Sequence, residues 1–158
     1  MSTQNFTMPV LLADLAATEE VGARIAAGLS RGDVVALQGD LGAGKTTLAR
    51  AILRALGVTE SVPSPTFTLV QTYETPRLTV RHYDLYRIRK PSEIYELGLE
   101  EALEDGAALI EWPEHGGDYL PDDTLHVVLT ATGSQPRRAD IAGPARWASL
   151  LSGAALVR

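Results

Sequence analysis

Eight consecutive residues, Gly39-Asp40-Leu41-Gly42-Ala43-Gly44-Lys45-Thr46, satisfy the spacing G-x-x-x-x-G-K-[ST]. The chemistry such a run can do is phosphate capture. Glycines let the backbone curl its N–H groups around phosphate oxygens, and the helix that follows adds the positive end of its dipole. A lysine at this position places a point charge at the β- and γ-phosphates, and the adjacent hydroxyl ligates Mg²⁺. The competing reading is a glycine-rich turn that fits the pattern by accident. Against it, only Lys45 and Lys90 of the fourteen basic residues are lysine, so Lys45 does not come from a lysine-rich background.

Nucleotide chemistry on such a loop also needs a carboxylate for the metal, held at the end of a neighbouring buried strand. Two acids qualify. Ala107-Ala108-Leu109-Ile110-Glu111 is an apolar run ending in an acid, stopped by Trp112-Pro113, and Glu111 is the metal-site candidate. Asp84 lies in Thr79-Val80-Arg81-His82-Tyr83-Asp84-Leu85-Tyr86-Arg87-Ile88, where Val80, His82, Asp84, Tyr86 and Ile88 share one face by period two. Flanked by Arg81 and Arg87, Asp84 reads either as a second acid at the site or as half of a surface ion pair of little energetic weight.

The elements that must position these residues follow from the same sequence. Thr18 with Glu19 and Glu20 reads as a helix start, with Val21, Ile25 and Leu29 on one face, ending near residues 30–32. Residues 34–37 form a buried-type strand, and the glycine loop leads into a helix from 45 to about 56 that Gly57 closes. Residues 66–73 and 78–88 are expected as an antiparallel hairpin around Thr75-Pro76, followed by a helix from Pro91 and Ser92 to about 103. Residues 107–110 form a second buried strand; 125–130 and 139–142 are expected as late edge strands around a turn at Gly133-Ser134, with a short helix at 145–151. The alternation predicts a three-layer α/β fold of the P-loop NTPase type, with a mixed, mostly parallel sheet and antiparallel edge strands.

Composition bounds the setting. A chain of 158 residues fits one domain over 1–158, long enough to bury roughly two thirds of its unfolded surface. Without cysteine there is no disulfide framework, no cysteine metal site and no cysteine nucleophile. The first twenty residues carry no basic stretch before an apolar core, and no run approaches a membrane span, so a soluble cytoplasmic protein is expected. A net charge of −6 argues against a large nucleic-acid face; Arg87-Ile88-Arg89-Lys90 and Arg137-Arg138 read as solvated faces.

Four motifs taken together carry a resemblance. Gly39-Asp40-Leu41-Gly42-Ala43-Gly44-Lys45-Thr46-Thr47, Ser64-Pro65-Thr66-Phe67-Thr68-Leu69, His82-Tyr83-Asp84-Leu85-Tyr86-Arg87 and Ile110-Glu111-Trp112-Pro113, in this order and spacing, are similar to the TsaE (YjeE) family over about residues 10–130. That resemblance implies a small bacterial ATPase required for the threonylcarbamoyladenosine modification of tRNA. It implies ATP and Mg²⁺ as ligands and TsaB and TsaD as protein partners, with tRNA met only through their complex. In such a system hydrolysis resets the complex between turnovers, while TsaD transfers the threonylcarbamoyl group and TsaC makes the activated intermediate. Carried over by position, Gly42, Ala43, Gly44, Lys45, Thr46 and Thr47 hold the phosphates, and Thr46 and Glu111 hold the metal. Lys45, Asp84 and Glu111 form the catalytic set, and Ser64, Pro65 and Thr66 resemble a switch segment whose hydroxyls would meet the γ-phosphate. Trp112 packs on the switch, on a partner, or in the core; the adenine pocket falls near Asp14-Leu15 and the turn at 133–137, where the match is weakest.

The residues also bear on other functions. A GTPase would need an N-K-x-D guanine reader and a D-x-x-G switch after the loop, and neither occurs. A small-molecule kinase shares the strand, loop and Mg²⁺ apparatus but would want an arginine-rich lid, for which only Arg81, Arg87 and Arg89 are at hand. The non-enzymatic alternative is a nucleotide-gated interaction module.

Overall fold

The computed structural model describes residues 5–65, 68–131 and 137–152. In chain order these form β1 (Asn5–Leu12), α1 (Leu15–Gly28), β2 (Val34–Gln38), α2 (Lys45–Ala55), β3 (Val70–Glu74) and β4 (Thr79–Asp84). There follow α3 (Glu93–Glu96), α4 (Leu99–Asp105), β5 (Gly106–Glu111), a 3₁₀ segment (Pro113–Tyr119), β6 (Leu125–Thr130), β7 (Arg137–Pro144) and α5 (Arg146–Leu151). The seven strands make one sheet in the order β1-β7-β6-β2-β5-β4-β3. β6, β2, β5 and β4 run parallel, whereas β3 pairs antiparallel with β4 and the β6, β7, β1 series is antiparallel.

Alternation within the buried strands sorts side chains into two cores, which is what a sheet covered on both faces requires. In β5, Leu109 joins Val35, Leu37 and Val127 against Ile25, Leu48, Ile52 and Trp147 of α1, α2 and α5. Its neighbours Ala108 and Ile110 face Tyr83, Ile94, Leu99 and Ala102 on the other side, with α3 and α4. The three-layer mixed α/β architecture is therefore the one expected. No helix among the described residues is long and apolar enough to cross a membrane.

Several boundaries differ from the sequence reading, each for a local reason. α1 starts at Leu15 rather than Thr18, because Asp14 caps it, its Oδ1 accepting from Ala17 N at 2.9 Å. β1 is an additional strand, and it makes β7 and β6 interior: β6 pairs with β2, and β1 takes the edge. β3 begins only at Val70 because Leu69 is left-handed, with φ 68°. β4 ends at Asp84 rather than 88, since Asp84 Oδ1 accepts from Tyr86 N at 2.9 Å and turns the chain. The helix expected from 91 to 103 is broken by Gly98 at φ 75° into α3 and α4. The hairpin turn at Thr75 is as expected, Thr75 N donating to Leu78 O at 3.2 Å. The turn at Gly133-Ser134 lies outside the described residues.

Candidate functional site

The parallel strands β2, β4 and β5 all end at one edge of the sheet, the edge where open α/β sheets present a crevice. β2 leads into the glycine loop and α2, β4 delivers Asp84, and β5 delivers Glu111. A cavity of about 420 Å³ opens there between the loop, Ser64, Asp84, Glu111 and Trp112. In the loop, Gly42 (φ 81°) and Gly44 (φ 108°) take backbone conformations that a side chain would disfavour. Ala43 is buried beneath them. α2 begins at Lys45 with no side-chain cap on its first N–H groups.

Lys45 is only 5% exposed, yet it makes no ion pair with a carboxylate among the described residues. Its Nζ donates to the carbonyls of Gly39 and of Asp40, the latter at 3.1 Å, and stands 4.2 Å from the Trp112 ring centroid. Trp112 is thus neither a plain core residue nor free: it sits at φ 59°, a strained conformation for a large side chain, directly after β5. Tyr86 packs on it at 4.9 Å between ring centroids.

Thr46 and Glu111 meet: Thr46 Oγ1 lies 3.1 Å from Glu111 Oε1 and 3.0 Å from Oε2. Glu111 is 2% exposed, and among the described residues its carboxylate has no lysine or arginine within ion-pair distance; its other partner is His82 Nε2 at 2.6 Å. The buried lysine and the buried glutamate therefore line one cleft without neutralising each other.

Asp84 stands in register opposite Glu111 on the adjacent strand and is 4% exposed, which removes the surface-ion-pair reading. Arg81 turns instead to Asp105, Nη1 to Oδ1 at 2.7 Å, and that hydrogen bond holds the Asp105 carboxyl below its usual range and raises the guanidinium. Ser64 Oγ donates to Asp84 Oδ2 at 2.8 Å, so the segment resembling a switch is joined to the second acid. Pro65 O accepts from Leu69 N at 2.7 Å; Thr66 lies outside the described residues. Thr47, behind the loop, borders both this cavity and a hollow of about 540 Å³ between α1 and α2, lined by Leu15, Glu19, Arg50 and Arg54.

Two residues take parts other than those the sequence assigns them. Arg137, read as half of a solvated basic pair and as the end of the weakly matched turn at 133–137, reaches the loop from β7, its Nη2 donating to Gly42 O at 3.3 Å. His82 touches Glu111; its place two residues before Asp84, on the same face, was the available signal.

A parallel core with its glycine loop between the first interior strand and a helix, and an acid ending the next strand, defines a P-loop-type α/β protein. The structure is similar to the crystal structure of Bacillus subtilis YdiB, with a TM-score of 0.74 and 28% identity, covering 96% of this chain and 95% of that one. Residues 12–139 match the family model described as threonylcarbamoyl adenosine biosynthesis protein TsaE, and the chain belongs to the TsaE family. Among its relatives, the tRNA threonylcarbamoyladenosine biosynthesis protein TsaE of Rickettsia bellii is 45% identical over 125 residues, 78% of this chain and 87% of the relative. The protein of the same name from Bacillus subtilis is 39% identical over 121 residues, 76% of this chain and 75% of the relative.

Proposed function

We propose that this protein is a Mg²⁺-dependent ATPase that serves the N6-threonylcarbamoyladenosine modification of tRNA through a TsaB–TsaD pair, its hydrolysis resetting that complex between turnovers. Family membership supports the biosynthetic role. One observation supports the chemistry: a buried ammonium and a buried carboxylate face the same cavity without forming an ion pair, among the described residues. Such an arrangement suits a ligand that brings both signs of charge, an anionic phosphate chain with its divalent cation.

The donor set fits the cation. Mg²⁺ is held by one or two oxygen ligands of the protein with phosphate and water completing its shell, and Thr46 and Glu111 supply a hydroxyl and a carboxylate already in contact. Bound Mg·ATP would supply the phosphoanhydride to be cleaved and the charge that stabilises its transition state. Lys45 binds by exchanging its Gly39 and Asp40 carbonyl partners for phosphate oxygens, steered by the face of Trp112. Gly42, Gly44 and Thr47 would offer backbone N–H groups at and just before the start of α2, and Ala43 would join them by releasing Asp40 O, to which its N–H donates at 3.0 Å. Asp84 would orient water beside the cation and, through Ser64 Oγ at 2.8 Å, would couple Ser64 and Pro65 to the presence of the terminal phosphate. The hollow beside Leu15 and Thr47 suits the adenosine end. Among the described residues lining the cleft there is no glutamine, and Arg137 at its rim is the one arginine, so slow turnover alone and a contribution from the partner are expected.

Glu111→Gln tests this reading. ATP binding should persist in the variant, measured by calorimetry, while phosphate release falls by about 10²- to 10³-fold, the scale of losing one group that stabilises developing charge. Full turnover in Glu111→Gln would exclude the role; labelled phosphate appearing on an added acceptor rather than as inorganic phosphate would make the protein a kinase.

A further inference from the structure

Glu111 is held by a residue with no assigned part in the chemistry. His82 is fully buried, with Nε2 at 2.6 Å from Glu111 Oε2, while its Nδ1 has no hydrogen-bond partner. The backbone explains how the two meet. β4 and β5 are parallel, with His82 opposite Leu109 and Asp84 opposite Glu111, so His82 and Asp84 share a face and the ring reaches diagonally to the acid on the next strand.

The two ring nitrogens fix which tautomer this contact requires. With the proton on Nε2, the ring donates to Glu111 and leaves only a lone pair at Nδ1. With the proton on Nδ1, a buried N–H would be left unmade, and a bare Nε2 would face a carboxylate oxygen at 2.6 Å. We propose that His82 is a positioning residue: as the Nε2–H tautomer it anchors Glu111 Oε2, setting the carboxylate against the Thr46 hydroxyl while leaving its negative charge for a divalent cation in the cleft. This rests on the reading of Thr46 and Glu111 as the cation's protein ligands. The ring supplies direction through a single N–H. A lysine or arginine in its place would fix the carboxylate equally well but would compete for the charge that the cation needs. Ligating groups are commonly oriented in this way by a hydrogen-bonded neighbour, and losing that neighbour typically weakens metal binding.

Two measurements on the full chain test the assignment. In ¹⁵N-detected NMR of ring-labelled protein, His82 should show a protonated Nε2 and a bare Nδ1; a protonated Nδ1 with bare Nε2 overturns the proposal. In the second, Mg²⁺ is titrated into protein holding ADP. His82→Leu should weaken Mg²⁺ binding by roughly 10- to 100-fold, leaving metal-free ADP affinity unchanged, and His82→Gln, which keeps an N–H donor, should recover most of the loss. A folded His82→Leu protein with native Mg²⁺ affinity overturns the proposal. Should His82→Leu fail to fold, the native tautomer and the His82→Gln titration decide, native-like Mg²⁺ affinity in the latter supporting the donor role and a loss as large as 100-fold overturning it. Absence of any Mg²⁺ dependence in the native protein would remove the cation reading, and the tautomer alone would then decide whether His82 donates to Glu111.

Discussion

In the role proposed for the cleft, Lys45 and Glu111 do the chemistry because each is buried in a state that a bare protein interior would not favour, with the half-buried Thr46 against Glu111. A buried ammonium is satisfied here by carbonyls and a ring face, and a buried carboxylate by a hydroxyl and an imidazole. Removing the ammonium, in Lys45→Ala, deletes a charge-assisted contact worth about 1.5–3 kcal/mol, so ATP affinity should fall by about 10- to 100-fold in a fluorescence or calorimetric titration. Much of this was legible from the chain alone, since G-x-x-x-x-G-K-[ST] and an apolar run ending in an acid are local patterns. Asp84 was ambiguous because period two gives a face but not its depth; its 4% exposure comes with Glu111 beside it on β5 and Ser64 bonded over it. Spacing puts His82 on the face of Asp84, but its reach to Glu111 across the sheet, and that of Arg137 across the loop, depend on contacts that spacing does not encode.

At the scale of elements, the cleft depends on α2 being pressed close to α1 and on β4 being tied to the helical layer behind it. Gly22 of α1 lies against Ala51 of α2, where an added Cβ would come within 2.6 Å of the Ala51 Cβ and 2.9 Å of its backbone carbon. Gly22→Ala should therefore destabilise by about 1–3 kcal/mol in denaturant unfolding, through a shift of α2 that also loosens the loop. Tyr83, fully buried on the opposite face of β4, donates to Leu97 O at 3.2 Å. Burial pushes its phenol from 10.0 up to about 12. A group whose folded value is raised contributes stability that is complete below its unfolded value and is lost as pH rises through the folded one. Stability should accordingly decline from about pH 10 toward pH 12. Tyr83→Phe should flatten that decline, at a cost of about 1 kcal/mol near neutrality for the lost hydrogen bond, read from unfolding curves across pH. The interior strands and α2 could be read from apolar runs and helical spacing. β1 could not, because Pro9 interrupts its pattern; as an edge strand paired only with β7 it tolerates the missing N–H. Without β1, the places of β6 and β7 were misjudged as edges.

For the whole molecule, the net charge of −6 fits the proposal that tRNA is met through partners rather than by this protein itself. The cleft opens at the sheet edge with Tyr86 and Leu41 exposed at its rim, where, in the proposed role, a docked protein would complete it. ATP turnover should thus rise when the TsaB–TsaD pair is added, and a full rate from the isolated protein would exclude partner-completed catalysis. The most direct test is reconstituted tRNA threonylcarbamoylation, followed over many turnovers per TsaB–TsaD complex with the native protein, with Lys45→Ala, and with neither. Product should pass one equivalent per complex and keep accumulating only with the native protein; equal accumulation in all three reactions would contradict the role proposed for the cleft.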